Sequence, residues 1–245
     1  MRNLRLDLCY DGTRYKGWQR LTSNDNTIQS KLETALSRIL NEPIEVTGSG
    51  RTDAGTHAKY QVANFHCNSQ MQSEEILSQL RRYLPEDIGI YSCKDVSPRF
   101  HARLNAKTKT YAYRLWNSTQ PCVFDRKYVY IDTKHLDIKK MELAAKIFLG
   151  THDFSAFCAN KNMKKSTVRH IHSFDISTEN GEILFTVTGN GFLHHMVRIM
   201  VGTLVKVGNG KLKASDIEEI LRSRDRSKSG ITMPPQGLTL VSVEY

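Results

Sequence analysis

The sequence is poor in the residues that staple, anchor or load a protein. Its five cysteines (Cys9, Cys67, Cys93, Cys122, Cys158) are dispersed. None stands in a Cys-x-x-Cys pair or at zinc-ligand spacing from a histidine, which excludes a disulfide scaffold and a zinc finger. An odd, scattered set fits buried thiols in a reducing cytoplasm. No apolar run approaches the ~18 residues of a membrane span. Met1-Arg2-Asn3-Leu4-Arg5 alternates into a strand instead of opening a signal peptide. The expectation is a cytoplasmic protein without a membrane partner. There is no Walker loop, no strand-linked Gly-x-Gly-x-x-Gly and no metal cluster. Adjacent His194 and His195 would point about 100° apart on a helix, and no third ligand stands out, so no metal is assigned to them. Low-complexity segments are also missing.

Acidic residues are the scarcer charge: 25 against 35 basic ones, a net charge of +10. Such an excess favours a polyanionic partner, most simply nucleic acid. The basic residues cluster. Lys161, Lys164, Lys165, Arg169 and His170 form one group, and Arg222, Arg224, Arg226 and Lys228 another. Arg103, Lys107, Lys109 and Arg114 accompany Tyr111 and Tyr113, an interleaving that suits backbone tracking with base stacking.

With 245 residues, 39% of them hydrophobic, the chain can bury a core as one large domain or two modest ones. Alternation predicts a strand over 3–10. Helical spacing of Ile28, Leu32, Ala35, Leu36 and Ile39 predicts a helix over 26–41, capped by Asn26 or Thr27. Strands near 44–50 and 58–66 follow, then a helix over 73–83 from a Ser73 cap to Pro85, and a strand over 88–96. The order is strand-helix-strand-strand-helix-strand. The second half is read as a repeat: one long strand or a bent pair over 99–117, and a helix over 135–149 ended by Gly150. Strands over 167–177 and 182–189 are joined by Asn180-Gly181, a hairpin signal. Helices over 191–207 and 214–223 and a closing strand over 237–245 complete it. The expected fold class is α+β: two tandem ferredoxin-like or RRM-like split β-α-β halves, 1–98 and 99–245. Their strands would form a continuous mixed, mostly antiparallel central sheet flanked by helices, with the active-site cleft between the halves. Ser97-Pro98 marks the boundary.

The densest chemistry lies in Gly48-Ser49-Gly50-Arg51-Thr52-Asp53-Ala54-Gly55-Thr56-His57-Ala58. One carboxylate sits between turn formers on a loop joining two strands, with Arg51 before it and His57 after it. A rigid loop at strand ends is a common place for a reactive side chain; a hairpin turn with incidental charges has the same composition. A carboxylate with an ordinary pKa of about 3.9 is already ionised at neutral pH, so as a reactive group it needs positioning and a counter-charge rather than a base. Tyr111 alternates with Tyr113, which by itself reads as strand packing before it reads as a functional pair.

Gly50-Arg51-Thr52-Asp53-Ala54-Gly55-x-His57-Ala58 resembles the signature of the TruA-type tRNA pseudouridine synthases, with Thr56 where that family usually carries Val. Five more blocks resemble the family in the same order: Tyr10 to Gln19; Phe100-His101-Ala102-Arg103 with Tyr111-Ala112-Tyr113; Gly150 to Phe154; Gly191 to Arg198; and Gly237-Leu238-Thr239-Leu240 with the terminal Val243-Glu244-Tyr245. The resemblance implies the pseudouridine synthase fold and isomerisation of uridine to pseudouridine at tRNA positions 38, 39 and 40, in the anticodon stem-loop. It implies Asp53 as the essential catalytic residue, Tyr111 as the active-site tyrosine, Arg198 as the counter-ion of Asp53, and Arg51 filling the space a flipped base vacates. Arg14, Lys16, Gln19, Arg20, Thr52, His57, His101, Arg103, Lys164 and Lys165 are the remaining expected RNA contacts. Trp18 reads as core, and Asp153 with His152 as caps of the turn after a helix. The resemblance also implies a homodimer and no small-molecule cofactor. Alternatives are a catalytically silent RNA-binding protein on the same fold and a synthase acting on another RNA position. The second is motivated by departures at Leu80-Arg81-Arg82-Tyr83-Leu84-Pro85, at 21–26, and at Met233-Pro234-Pro235-Gln236.

Overall fold

A computed structural model describes residues 1–23, 25–160 and 165–245. In chain order the elements begin with β1 (Arg2–Tyr10), α1 (Ile28–Leu40), β2 (Val46–Gly48), β3 (His57–Cys67), α2 (Ser73–Tyr83) and β4 (Ile88–Val96). Then come β5 (Thr108–Trp116), β6 (Tyr130–Ile131), α3 (Ile138–Lys146), β7 (Gly150–Asp153), β8 (Val168–Glu179) and β9 (Glu182–Gly189). The chain closes with α4 (Met196–Gly208), α5 (Asp216–Ser223) and β10 (Leu238–Glu244). The fold class is α+β. The chain forms two compact units, Met1–Lys107 with Thr239–Tyr245, and Thr108–Leu238. Among the described residues, no helix is long and apolar enough to cross a membrane.

In the first unit, Leu4, Leu6 and Leu8 share one face of β1 by the strand period and are fully buried. Ile28, Leu32 and Leu36 do the same on one face of α1. Each such side chain contributes on the order of 1.5–3 kcal/mol of apolar burial. Thr27 caps α1, its hydroxyl accepting the Ser30 N–H, and Asn41 ends it in the left-handed region. At α2 the cap differs from expectation. Ser73 is already helical, Gln72 precedes it without a side-chain cap bond, and Ser73 bonds Glu74 instead.

The strands run β4-β1-β3, all antiparallel, as a split β-α-β unit requires. β1 occupies one edge of β3. The other edge is divided: β2 pairs antiparallel with Ala63–Phe65, while β10 pairs parallel with His57 and Ala58. The closing strand therefore belongs with the first unit, and periodicity alone carries no sign of that. Tyr245 secures it by donating from its phenol to the Ala102 carbonyl at 2.7 Å, with the Arg5 guanidinium 4.8 Å from its ring centre.

Residues 99–107, expected as strand, are turns. The Asn105 N–H returns to the His101 carbonyl, and His101 Nδ1 accepts from the Arg103 and Leu104 N–H groups. This local pairing competes with a ladder.

In the second unit β5-β9-β8-β7 are antiparallel neighbours, with β6 parallel beside β5. Asn180 and Gly181 both take positive φ in the β8–β9 hairpin, as the dipeptide predicts. Helix α3 packs on α4 and β8. α4 is buried on nearly every side, Lys206 excepted, as its apolar sequence demands. It begins at Met196, later than the expected 191, because His195 adopts φ 60° and turns the chain there. Gly202 of α4 and Gly230 lie backbone to backbone; a Cβ on Gly202 would fall on the Ile231 carbonyl, and one on Gly230 on the Gly202 backbone. Only glycine permits that crossing.

Candidate active site

The Asp53 loop leaves β2 and returns into β3. Ser49 N–H bonds the Val62 carbonyl at 2.7 Å, its hydroxyl bonds Gln61 Oε1 at 2.6 Å, and Gln61 Nε2 donates to the Gly50 carbonyl at 3.1 Å. Past Asp53 the chain reverses through Gly55 at φ 76°, and Thr56 N–H closes the turn on the Asp53 carbonyl at 3.1 Å. Asp53 itself is half-buried.

The Tyr10–Gln19 block clamps this loop. The Tyr10 hydroxyl bonds Thr52 Oγ1 at 2.8 Å, and Trp18 N–H donates to the Thr52 carbonyl at 3.0 Å. Gly55 N–H donates to the Tyr15 carbonyl at 3.2 Å, and Gly12 N–H to His57 Nδ1 at 3.1 Å. An Asp11 carboxylate oxygen lies 3.1 Å from the same ring nitrogen. The approach is too close for side chains: at Gly17, with φ 93°, a Cβ would come 2.7 Å from the Thr52 carbonyl oxygen, and at Gly12 it would fall on the Thr56 carbonyl. Burial pushes the Tyr10 phenol up to about 12, so it stays protonated on Thr52. Burial and the Asp87 carboxylate push the Tyr15 phenol up as well. The carboxylate of Asp53 is thus carried on backbone fixed from two sides, which is the positioning that a reactive group on a loop requires.

Tyr111 stands in β5 opposite Val187, 7% exposed, with Phe192 edge-on at 5.1 Å between ring centres. Tyr113, two residues on, is fully buried; its hydroxyl donates to the Pro234 carbonyl at 2.9 Å, and burial holds its phenol well above the ordinary range. Arg198 lies in the first turn of α4, 9% exposed, and donates from Nε to the Met233 carbonyl at 2.6 Å. Arg198 and Tyr113 are therefore both tied to the Met233-Pro234 backbone. The diverged segment 233–236 reaches a candidate catalytic residue through carbonyl groups, which any side-chain sequence supplies, and the sequence carries no signal of it.

A family model described as tRNA pseudouridine synthase matches residues 9–105 and 144–245. The chain belongs to the tRNA pseudouridine synthase family. It is 45% identical to "tRNA pseudouridine synthase A 2" of Bacillus cereus (strain ZK / E33L) and 47% identical to "tRNA pseudouridine synthase A 1" of Clostridium tetani. In both cases the match runs over 245 residues and the whole of each chain. It is 46% identical over the same span to "tRNA pseudouridine synthase A" of Bacillus sp. (strain KSM-64). A solved structure described as a Cbf5-Nop10-Gar1 complex covers 86% of this chain and 44% of its own at 13% identity, with a TM-score of 0.35, too low a likeness to argue from.

Within this pseudouridine synthase the other expected RNA contacts fall into distinct environments. Arg51, Lys16, Gln19 and Arg103 are exposed. Arg14 is paired with Asp87 at 2.6 Å and Arg20 with Glu33 at 2.8 Å, each still reaching solvent. His101 is half-buried and orders its own turn. Thr52 and His57 (4% exposed) are buried and hold the loop to the Tyr10–Gln19 block. Trp18 is 2% exposed and belongs to the core. Lys165 is exposed, while Lys161 and Lys164 lie outside the described residues.

Three of the four basic residues at 222–228 are paired with carboxylates: Arg222 with Glu218, Arg224 with Asp153 and Lys228 with Glu219. Arg226 binds Ser229, Thr232 and the Gly230 carbonyl. Arg114 is likewise held by Glu182 at 2.7 Å. Arg169 donates to the Ser166 and Val168 carbonyls, and burial lowers its pKa. Counting basic residues along a sequence overlooks such partners: Glu218 and Glu219 lie on the same helix, whereas Asp153 and Glu182 come from other segments. Asp153 accepts from Ser155 N–H at the turn after β7, and His152 bonds the Leu149 carbonyl.

Proposed function

We propose that this chain isomerises uridine to pseudouridine in the anticodon stem-loop of tRNA, at positions 38, 39 and 40, with Asp53 as the essential carboxylate. The observation that carries the reading is the clamp on the Asp53 loop: four hydrogen bonds with the Tyr10–Gln19 block, two to the loop's backbone and two to the side chains of Thr52 and His57, hold the chain on either side of one half-buried carboxylate. Preorganised placement of this kind lowers the barrier of a reaction that occurs within one bound nucleotide.

In the reaction the N1–C1′ glycosidic bond breaks, the uracil turns and a C5–C1′ bond forms. C5 then gives up its proton and N1 gains one, so the product is an isomer and no group is donated or oxidised. The target base must leave its stack, at a cost of a few kcal/mol. Tyr111 offers a ring to the flipped base, and base–aromatic stacking is worth about 1–3 kcal/mol. Arg51, exposed on the same loop as Asp53, fills the vacated space. Arg198 serves as the counter-ion of Asp53 in this reading. Lys16, Gln19, Arg103 and Lys165 supply exposed polar and cationic contacts to the RNA, assisted by Arg14, Arg20 and His101. Thr52 and His57 act indirectly, by shaping the loop. The working form is a homodimer in the cytoplasm.

Tritium release from tRNA labelled at C5 of uridine tests this reading, because C5 loses its hydrogen only after the new carbon–carbon bond forms. Release by wild type and none by Asp53→Ala, with tRNA binding retained, is the expected result. Binding without release by wild type would overturn the reaction in favour of a silent RNA-binding protein. A second reading, a synthase with another target, draws on the diverged Arg81-Arg82 segment. There Arg81 braces β4 through the Ile90 and Tyr91 carbonyls, while Arg82 is exposed. Mapping pseudouridine in total tRNA with and without the gene separates the two: loss confined to positions 38–40 supports the first, and loss elsewhere the second.

A further inference from the structure

A cavity of about 170 Å³ opens in the first unit between the Trp18-Gln19 segment and β2. Its floor is rigid. The Trp18 ring lies so close to Gly48 that a Cβ there would come within 2.5 Å of the indole. The Gln29 amide is engaged at both ends: Oε1 accepts from Arg20 N–H at 2.9 Å, and Nε2 donates to Glu33 Oε1 at 2.9 Å and to the Val46 carbonyl at 3.1 Å. The walls are available. Among the described residues, the side chains of Gln19, Glu45, Thr47, Arg51 and Arg103 are all half or fully exposed and are held by no hydrogen bond or ion pair.

We propose that this cavity takes the unstacked base of a nucleotide next to the target uridine, and that Glu45 and Gln19 read its edge. The inference rests on the reading of Asp53 given above. Arg51 lines the cavity two residues before Asp53, on the clamped loop, so a group held there is in fixed register with the carboxylate. The volume is below the ~300–1,000 Å³ of sites for drug-sized ligands, which leaves room for a single ring system. Guanidinium groups such as those of Arg51 and Arg103 stack on bases and bond phosphates, and unstacked RNA bases are recognised in this way. Glu45 only accepts when ionised, whereas Gln19 and Thr47 both donate and accept. A carboxylate on the wall favours a base bearing an exocyclic amino group, as glutamate does when it accepts from cytosine N4, and disfavours uracil. The site therefore adds selectivity for the sequence flanking the modified uridine.

The test uses the full-length protein and anticodon stem-loop RNAs with an abasic residue on one side or the other of the target uridine. Binding is followed by fluorescence anisotropy at fixed salt, for wild type and for a Gln19→Ala/Glu45→Ala double variant. One abasic RNA is expected to bind wild type about tenfold more weakly than the intact RNA, within the range of one lost base contact, and to bind the variant no more weakly than the intact RNA does. Equal losses in both proteins, or no loss in either, overturn the cavity's role while C5 tritium release still supports the reaction. Failure of wild type to bind any of the RNAs overturns both.

Discussion

Thr56 carries a cost that one atom would remove. It is 1% exposed, and its hydroxyl is buried without a hydrogen-bond partner among the described residues. Its backbone, in contrast, is engaged: the N–H closes the Asp53 turn, and the carbonyl lies against Gly12. An unsatisfied buried hydroxyl costs about 1–3 kcal/mol, and replacing it with a methyl group of similar shape relieves that cost. Thr56→Val should therefore stabilise the first unit by about 1 kcal/mol, raising its melting temperature by about 2–4 °C. Thr56→Ser keeps the orphaned hydroxyl and deletes the methyl, so it should lose about 1 kcal/mol. Trp18 fluorescence during urea unfolding, in a Trp116→Phe background, reports on this unit, and an unchanged m-value would show that only stability has moved. The rate of tritium release should be unaffected, since the loop is held through its backbone. A loss of 1 kcal/mol or more in Thr56→Val would refute the argument, because it would mean the hydroxyl bonds a group in solution.

Three further outcomes are expected. Gly202→Ala should destabilise the second unit by about 1–3 kcal/mol, against the roughly 1 kcal/mol gain that helix propensity alone predicts; a higher melting temperature would contradict the backbone crossing at Gly230. Burial pushes the Asp153 carboxyl up, but the Thr167 hydroxyl, the Ser155 N–H and Arg224 outweigh it and hold it below the ordinary range. A depressed folded pKa contributes stability above the unfolded value near 3.9 and loses it as pH falls through the folded value. Asp153→Asn should thus lower stability at neutral pH and flatten the acid limb below about pH 4, and an unchanged acid limb would refute the assignment. Lys165→Ala should weaken tRNA binding and lower its salt slope by about one without slowing single turnover at saturating enzyme; a slower chemical step would place Lys165 differently.

Much of the first unit was legible in the sequence because its signals are local. Leucine alternation placed β1, and Asn26-Thr27 announced the start of α1; in the second unit Asn180-Gly181 announced the β8–β9 turn. The Asp53 loop was legible as a motif, but the clamp was not, since Gly12 and Gly17 show their purpose only when Thr52 and Thr56 lie against them. Three features escaped, each for its own physical reason. The turns at 99–107 arise from the His101 ring bonding its neighbours' N–H groups, a choice that periodicity does not record. The late start of α4 depends on one left-handed residue, His195. The basic cluster at 222–228 is neutralised in part by Asp153, remote in sequence.

The divided edge of β3 also has a consequence for how the protein is made. His57 and Ala58 emerge from the ribosome early, but the strand that pairs with them, β10, is synthesised only after the whole second unit. At ~5–20 residues per second, the start of β3, beside the Asp53 loop, waits on the order of ten seconds or longer with an unpaired edge. An open edge of that kind is a template for wrong partners. The nascent chain must therefore pass through an interval in which the Asp53 loop has been translated but its strand has no neighbour on that side, and completion of the first unit is timed by translation of the second.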